Sequence, residues 1–412
     1  MKKNIIGVVL ITVILLVMFI KDVPKYRFGY FTKGLELKHK HGSNNQNVFK
    51  LDNDNIFILG QNNDNGDYIP SEIYDIKANK VKEIILPKNI HYWDNGLLLN
   101  DNKLLITHAY NPNNLKYKDG KAYPYDSMII LNLDTMEFEK LIEKKINKIQ
   151  KPIRSFNIMH AALLGNKVFM YHNGKVEIYD IDKNASTLID INIGKFLNID
   201  QIITTKENKV LLFGSNTLAK DEERKVKYGD LDNVYEYDYK SNTIKAAGKV
   251  LRREHPRRVK IDDNRIVIFG GKAVLPYGDS KYKEITKLKE IEIYDINAKK
   301  SKVVANLPKV RCYEFMGAGG FNGARLGNKY FLIAGGKCFL EPMFGVKGKT
   351  SSKDSEILDL ETYEFKSGPK AKDELAGQQM ITLDNGDVFI LLSQRAGYNK
   401  NTQFFKQWGI KQ

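Results

Sequence analysis

The sequence predicts an all-β protein, a seven-bladed β-propeller preceded by an N-terminal transmembrane or signal-anchor helix. Three observations carry this prediction: a pentapeptide that recurs along the chain, an apolar hairpin pattern that recurs with it, and one uncharged apolar run near the start. Motifs that repeat at long intervals mark a repeated structural unit. A ring of six blades with a loose terminal hairpin is the alternative.

The recurring pentapeptide is EIYDI, found at 72–76, 177–181 and 292–296, with looser copies at 129–133, 235–239 and 356–360. Its alternation of Ile and Tyr with other residues is typical of β-strands half-buried between two sheets. Five copies place an Asp just before a polar cluster, where the carboxylate can accept backbone N–H groups of the next turn. Because one active site cannot include five separate positions, we expect turn caps. These residues are Asp75, Asp180, Asp238, Asp295 and Asp359.

A second repeat lies upstream of each such strand: a tight polar turn followed by an apolar run, as in NDNIFILG and DDNRIVIFGG. Asn and Gly tolerate the positive φ that two-residue hairpin turns require. Each unit is therefore a hairpin, a variable loop and a second hairpin, which makes a four-stranded antiparallel sheet. Seven such sheets arranged radially leave few exposed edges. The turn residues are Asn55, Asn102, Asn166, Asn208, Asn264, Asn328 and Asn385.

The count of hairpins predicts how the ring closes. The chain holds seven first hairpins but only six complete second hairpins. We expect 403–410 and an N-terminal strand from 30–38 to complete the seventh blade together. Pairing the two ends of the chain in one blade closes the propeller ring. Apart from a short helix expected within 140–150, no amphipathic helix is predicted.

Several of these features resemble the Kelch repeat. They are the pairs Gly270-Gly271 and Gly335-Gly336 at the ends of second strands, the Tyr-Asp strands downstream, and arginines ahead of some first strands. The resemblance covers about residues 47–400. It implies a propeller whose binding face carries the loops between second and third strands, with arginines near the mouth of the channel.

The N-terminal run at 5–20 (IIGVVLITVILLVMFI) contains no charged residue and follows the basic start Met1-Lys2-Lys3. Thirteen of its residues are Ile, Leu, Val or Phe, which together favour membrane insertion by roughly 4 to 8 kcal/mol. A small-x-small cleavage site is missing, because Lys21 follows directly. We expect a single-pass cell-membrane protein, with a signal anchor at 1–24 and an extracytoplasmic propeller at 25–412. A cleaved signal peptide and secretion are the alternative.

The two cysteines, Cys312 and Cys338, both belong to the sixth repeat. Outside the cytoplasm one disulfide can form between them. Register counted from the turn at Asn328 places Cys338 nearer Gly317 than Cys312, so the sequence does not decide whether the disulfide forms.

The formal net charge of +16 comes mostly from scattered lysines, which usually solvate a surface. Local clusters of arginine and aromatic residues are more informative about ligand binding. Forked guanidinium groups bind carboxylate or sulfate, and aromatic rings stack on sugars or peptide side chains. In a propeller the segments ahead of first strands open on the same face as the long loops. We therefore predict a ligand-binding set on that face: Arg154, Arg257, Arg311, Tyr92, Trp93 and Tyr277.

Motifs for enzyme chemistry are missing from the sequence: it contains no HExxH, GxSxG, P-loop or CxxC. We predict no metal or cofactor and no catalytic residue, and export disfavours nucleic acid as a partner. The favoured function is a membrane-anchored binding protein for an anionic glycan, carbohydrate or acidic protein partner. The alternative is a carbohydrate-modifying enzyme resembling the sialate mutarotases. There Arg154, Arg257 and Arg311 would hold a carboxylate, with Glu314 or His255 as acid/base.

Overall fold

The computed structural model describes most of the chain between residues 28 and 407. The described residues are 28–41, 48–52, 54–62, 68–86, 91–92, 96–99, 102–110, 117–118, 121–122, 127–143, 160–172, 175–190, 199–205, 209–214, 233–251, 253, 256–274, 285–287, 289–308, 322–335, 353–393 and 400–407. Regular structure in these ranges is β-strand throughout.

The strands follow one another in short pairs, as alternating apolar runs separated by polar turns predict. In chain order they are β1 (Gly29–Lys33), β2 (Val48–Lys50), β3 (Asn55–Ile58), β4 (Gln61–Asn62), β5 (Tyr68–Ile69), β6 (Ser71–Asp75), β7 (Lys80–Ile84), β8 (His91–Tyr92), β9 (Gly96–Leu98), β10 (Lys103–Tyr110), β11 (Tyr117–Lys118), β12 (Lys121–Ala122), β13 (Ser127–Asn132), β14 (Glu137–Glu143), β15 (His160–Leu164), β16 (Lys167–His172), β17 (Lys175–Asp180), β18 (Ala185–Asp190), β19 (Ile199–Thr204), β20 (Lys209–Gly214), β21 (Asn233–Asp238), β22 (Thr243–Lys249), β23 (Arg257–Lys260), β24 (Arg265–Phe269), β25 (Lys272–Val274), β26 (Ile285–Lys287), β27 (Glu290–Asp295), β28 (Lys300–Asn306), β29 (Asn322–Leu326), β30 (Tyr330–Ala334), β31 (Ser355–Asp359), β32 (Phe365–Ser367), β33 (Ala376–Thr382), β34 (Val388–Ser393) and β35 (Thr402–Gln407).

Within the described ranges these strands form the seven blades of a β-propeller, each an antiparallel sheet. Blades 1 to 3 are β2-β3-β6-β7, then β10-β13-β14 with β8 and β9 both paired to β10, then β15-β16-β17-β18. Blades 4 to 6 are β19-β20-β21-β22, β23-β24-β27-β28 and β29-β30-β31-β32. Blade 7 is β33-β34-β35-β1. Three small hairpins, β4-β5, β11-β12 and β25-β26, lie between second and third strands. All six EIYDI-like segments are third strands, as predicted.

Blade 7 confirms the predicted closure, because it joins the two ends of the chain. Strand β1 pairs antiparallel with β35, with Gly29 opposite Gln407 and Lys33 opposite Gln403. Each buried core cluster lies between two neighbouring blades, and the last one joins blade 7 to blade 1. There the ring of Tyr74 meets that of Phe389 edge-on, with centroids 5.5 Å apart. Apolar packing therefore runs continuously around the ring.

The tyrosine of the repeated pentapeptide fills the seam between blades. Tyr74, Tyr179, Tyr237 and Tyr294 are among the largest fully buried side chains. A buried phenol needs a hydrogen-bond partner, and each has one close by in space. Tyr74 Oη accepts the Leu35 N–H at 2.9 Å, and Tyr237 Oη donates to Asn242 Oδ1 at 2.9 Å. Burial raises the pKa of Tyr237 to about 12.

The five predicted turn caps are confirmed. Asp75 Oδ1 accepts the Ala78 N–H at 2.7 Å, and Asp238 Oδ1 accepts those of Lys240 and Ser241 at 2.9 and 3.2 Å. Asp180, Asp295 and Asp359 cap their turns in the same way. The hydrogen bond from Ser241 N–H lowers the pKa of Asp238 more than burial raises it. A recurring carboxylate is thus explained by local backbone chemistry.

The turns between first and second strands differ in part from the prediction. Asn102 does adopt a left-handed φ of 53°, but in blades 3, 6 and 7 the left-handed residue is a neighbouring glycine. In blades 1 and 5 an aspartate shapes the turn instead: Asp52 accepts the Asn55 N–H and Asp262 the Arg265 N–H, each at 2.7 Å. An Asx turn satisfies the backbone without a positive φ, so Asn is one of several residues suited to these turns.

The propeller has two unlike faces. We call the end formed by the hairpin turns the turn face and the opposite end the loop face. Connections on the turn face span at most five residues, as between β31 and β32 (360–364). Those between second and third strands on the loop face reach twenty, as between β24 and β27 (270–289). Side chains link neighbouring blades near the turns, as where Thr382 Oγ1 donates to the carbonyl of Arg325 at 2.9 Å.

Several predictions fall on parts of the chain outside the described residues. They include the apolar run 5–20, the turn residue Asn208 and both cysteines, Cys312 and Cys338. Among the residues that the structure does describe, none belongs to a helix long and apolar enough to cross a membrane. The short helix predicted at 140–150 is wrong at its start, because 140–143 continue strand β14 and pair with β13.

Candidate binding face

Of the six predicted ligand-binding residues, two lie in the described part of the chain. Tyr92 lies in β8 opposite Ala109 of β10. Arg257 is the first residue of β23, half-buried and opposite Phe269. These two belong to blades 2 and 5, which are not neighbours. Arg154, Arg311, Trp93 and Tyr277 lie outside the described residues.

A row of buried side chains that the sequence analysis did not single out lies near the loop face. It is the first residue of the repeated pentapeptide, a glutamate in the third strand of four blades and a glutamine in blade 7. All of these side chains are buried, although Lys, Glu, Arg and Asp are seldom buried unless paired. They are Glu72, Glu177, Glu292, Glu356 and Gln403.

Glu72 and Gln403 each hold the linker that enters their blade. Glu72 Oε1 accepts the Lys38 N–H at 2.7 Å, and its other oxygen lies 2.7 Å from His41 Nε2. Lys38 and His41 belong to the linker from β1 into blade 1. In blade 7, Gln403 Oε1 accepts the Lys372 N–H of the linker from blade 6 at 3.0 Å. The residue at this position therefore holds the linker that enters blade 1 and the linker that enters blade 7.

The equivalent glutamate of blade 5 also holds a buried arginine. Glu292 accepts the Leu251 N–H at 2.9 Å and lies 3.2 Å from Arg253 Nη2, with both charged side chains only 1% exposed. Arg253 Nη1 donates to the carbonyls of Gly270 and Glu290 at 3.1 Å each. Burial lowers the pKa of the Arg253 guanidinium, and the Glu292 carboxylate opposes this. A buried ion pair with several hydrogen bonds is costly to break.

A second guanidinium lies beside the first at the boundary between blades 4 and 5. Arg258 is buried, and its Nη2 donates to the carbonyl of Gly214 at 3.5 Å. Its guanidinium also stacks over the Phe213 ring, 4.9 Å from the centroid. The charge of Arg258 contributes to the lowered pKa of Arg253, after burial as the main cause. Two guanidinium groups, with the carboxylates of Glu292 and Glu290 close to Arg253, are thus buried near the loop face.

Sequence reasoning missed Arg253 and chose Arg257, although both belong to the basic stretch at 251–260. One signal could have found the pairing. A glutamate recurs at a position of the third strand where the neighbouring residues are apolar, so it must be buried, and a buried carboxylate needs a cation or backbone donors.

A groove of about 630 Å³ opens between blades 1 and 2 at the turn face. Its lining includes Asp52, Asp75, Lys80 and Lys82. The two carboxylates already accept backbone N–H groups of their own turns at 2.7 Å. We therefore assign this groove to turn geometry rather than to ligand binding. In the part of the chain that the structure describes, His, Cys, Asp and Glu side chains form no group of three that could hold a metal ion.

Comparison with known proteins identifies the fold. No protein-family model matches the chain, and no curated protein matches it in sequence. Among solved structures it resembles a fungal alcohol oxidase of the AA5 family, described in complex with copper, with a TM-score of 0.60 and 12% identity. The likeness covers 93% of this chain and 76% of the oxidase. At this identity the resemblance supports the propeller architecture, and nothing about chemistry follows from it.

Proposed function

We propose that this protein is a Kelch-type propeller, anchored in the membrane through 5–20, that binds an anionic, carbohydrate or protein partner through its loop face outside the cytoplasm. The observation that carries the proposal is the difference between the two faces. Between the described strands, the long connections join second to third strands at one end of the ring, whereas the connections at the other end span at most five residues. Variable loops on a rigid scaffold are where proteins usually place recognition residues.

The charge near the loop face favours an anionic group on the partner. Arg253 and Arg258 are buried beneath it, and Arg257 lies between them in sequence at the start of β23. A partly desolvated site strengthens interactions with carboxylate, sulfate or phosphate. Arg154 and Arg311 precede the first strands of blades 3 and 6, so they are the next candidates to contact the same ligand.

Binding is tested with the full chain against an array of acidic and neutral glycans and acidic peptides, followed by calorimetry at low and high salt. We expect Arg154→Ala, Arg257→Ala and Arg311→Ala each to weaken binding about tenfold, because one charge-assisted hydrogen bond contributes ~1.5 kcal/mol. Thermal unfolding should hardly change. Lys183→Ala, which removes the same charge from the turn face, is the control.

Two results would contradict this site. One is a large drop in the melting temperature with binding intact, because the arginine would then resemble Arg253 and serve the fold. The other is equal weakening by Lys183→Ala, which would indicate attraction to overall charge. Conversion of a bound sugar to product would favour the enzyme alternative.

The proposed membrane anchor is tested by fractionating cells. Full-length protein should sediment with membranes and resist extraction by high salt, since apolar insertion does not depend on ionic strength. Protease added outside intact cells should cleave it after residue 21. Release by salt, or resistance to external protease, would contradict the anchor.

A further inference from the structure

We propose that the turn face of the propeller lies against the membrane surface and that the loop face points away from it. The inference rests on the proposed function, because it requires the anchor at 5–20. Beyond the anchor itself, the proposal states which face of the propeller lies against the lipid. That side is decided by where the chain enters the ring, by how much chain separates the anchor from the ring, and by the shape of the two faces.

The chain enters the ring at the turn face. Gly29 at the start of β1 pairs with Gln407, the end of the third strand of blade 7. Third strands end at the turn face, where Gln407 N–H donates to Asp387 Oδ1 of the neighbouring hairpin turn at 2.9 Å. Strand β1 then runs toward the loop face, and the chain continues into blade 1.

Phe28 is held at the same end of the molecule. Its ring lies 4.9 Å from that of Tyr330, the first residue of β30, and Lys366 Nζ lies 5.2 Å from its centroid. Tyr330 is paired with Asp359, which caps the turn of blade 6. These contacts fix the point of entry at the turn face, between blades 6 and 7.

The length of the segment between the apolar run and Phe28 then decides which face can lie against the membrane. Seven residues, 21–27, separate the apolar run from Phe28, and fully extended they reach about 25 Å. A six-residue strand, such as β35, spans about 20 Å from one face to the other. A loop face turned toward lipid would require nearly the whole tether to pass along the blade. The turn face needs none of it for that purpose.

The shape and charge of the turn face agree with this placement. Its connections span five residues or fewer, which suits a planar surface. Several of its cations are paired with neighbouring carboxylates, such as Lys329 with Glu361 and Arg265 with Asp262. Orientation should therefore come from the tether and vary little with salt or with anionic lipid.

Energy transfer from labels on the two faces to a lipid-borne acceptor tests the orientation. Full-length protein carrying Cys312→Ser and Cys338→Ser is placed in vesicles of phosphatidylcholine with phosphatidylglycerol. Lys183→Cys labels the turn face, where that side chain is 78% exposed, and Ile85→Cys labels the loop face, at a residue 65% exposed. Lys240→Cys and Lys370→Cys form a second matched pair. If the serine background unfolds, a genetically encoded azido residue at the same positions replaces cysteine.

Transfer from the two turn-face labels should exceed that from the two loop-face labels by about twofold, because ~20 Å separates the faces. Loop-face labels should be quenched more by a soluble quencher. Equal transfer from both faces, as for a disc standing on edge, or stronger transfer from the loop face would overturn the orientation while leaving the anchor intact. Protein that does not remain with the vesicles would overturn the anchor, and the orientation with it.

Discussion

A buried carboxylate at the start of the third strand, present in four of the seven blades, explains part of the sequence repeat. Glu72 binds two backbone N–H groups and one histidine of the linker ahead of its blade. Glu292 accepts the Leu251 N–H and a hydrogen bond from the Arg253 guanidinium, both in the linker ahead of blade 5. Because a buried acceptor left without donors is costly, these contacts constrain where each linker can lie.

Removing the charge of Glu292 should destabilise the fold strongly. Glu292→Gln leaves the Arg253 guanidinium buried without its counter-ion, which costs about 3 kcal/mol in comparable pairs. Urea unfolding of the variant measures this cost, and Glu364→Gln, at an exposed position, is the control. The double variant Arg253→Met/Glu292→Met should recover stability. A loss below about 1 kcal/mol would mean that the pair contributes no more than a surface ion pair.

Tyr237 should make the protein sensitive to alkaline pH. Its phenol is protonated in the fold up to a pKa of about 12, against roughly 10 in an unfolded chain. A raised folded-state pKa means that the contribution is complete below pH 10 and is lost as pH rises toward 12. Tyr237→Phe should flatten the fall in unfolding free energy over that interval. An unchanged slope would show that other groups govern alkaline unfolding.

At the scale of the element, every part of the third strand has a separate task. In blade 1 the glutamate of EIYDI holds the incoming linker, Tyr74 packs in the seam, and Asp75 caps the outgoing turn. Alternation places Glu72 and Tyr74 on one side of the strand and Asp75 on the other. The three copies of EIYDI, in blades 1, 3 and 5, carry all three of these residues, and each looser copy lacks at least one of them.

The turn caps should lose their contribution in acid. The hydrogen bond from Lys167 is the largest cause of the lowered pKa of Asp180, and that from Ser241 N–H lowers the pKa of Asp238. A lowered folded-state pKa means that stability is present above about pH 4 and is lost as pH falls through the folded value. Asp238→Asn should therefore be less stable than wild type at neutral pH and similar at low pH in urea unfolding. A difference that persists unchanged in acid would contradict this cause.

At the scale of the whole molecule, closure of the ring depends on one short strand. Phe31 of β1 is buried against Phe405, with ring centroids 5.2 Å apart, and it joins the core between blades 6 and 7. The five residues of β1 thus complete blade 7 and connect the ends of the chain. Elsewhere in the ring the same role is played by a fourth strand that is continuous with its own blade.

Truncating Phe31 should loosen the ring at blade 7. Phe31→Ala should cost about 3 to 5 kcal/mol, the usual loss for a buried phenylalanine. Hydrogen exchange should also accelerate at the amides of β35, which β1 covers. Lys33→Ala, in the same strand but with a side chain 71% exposed, is the control. Protection of β35 that survives the change would show that the blade holds together without β1.

Much of this architecture could be predicted from the sequence alone. The six EIYDI-like strands, their aspartate caps and the shared terminal blade all follow from patterns over a few residues. Period-two alternation selects strands, and an Asx turn depends on neighbours two or three positions away. Closure followed from counting hairpins, because an unpaired edge has to be covered.

The tertiary structure alone decided which charges meet and which face the chain enters. Leu251 and Glu292 bond across 41 positions, and only the stacking of blades brings them together. Arg253 and Arg257 both precede the same hairpin, but only Arg253 is paired with Glu292. Arg253 lies in the linker and Arg257 in β23, so the packing of that linker against the third strand decides which of the two meets Glu292. The entry of Phe28 at the turn face likewise depends on the register of β1 against β35, since an antiparallel pairing fixes which end of the strand each residue occupies.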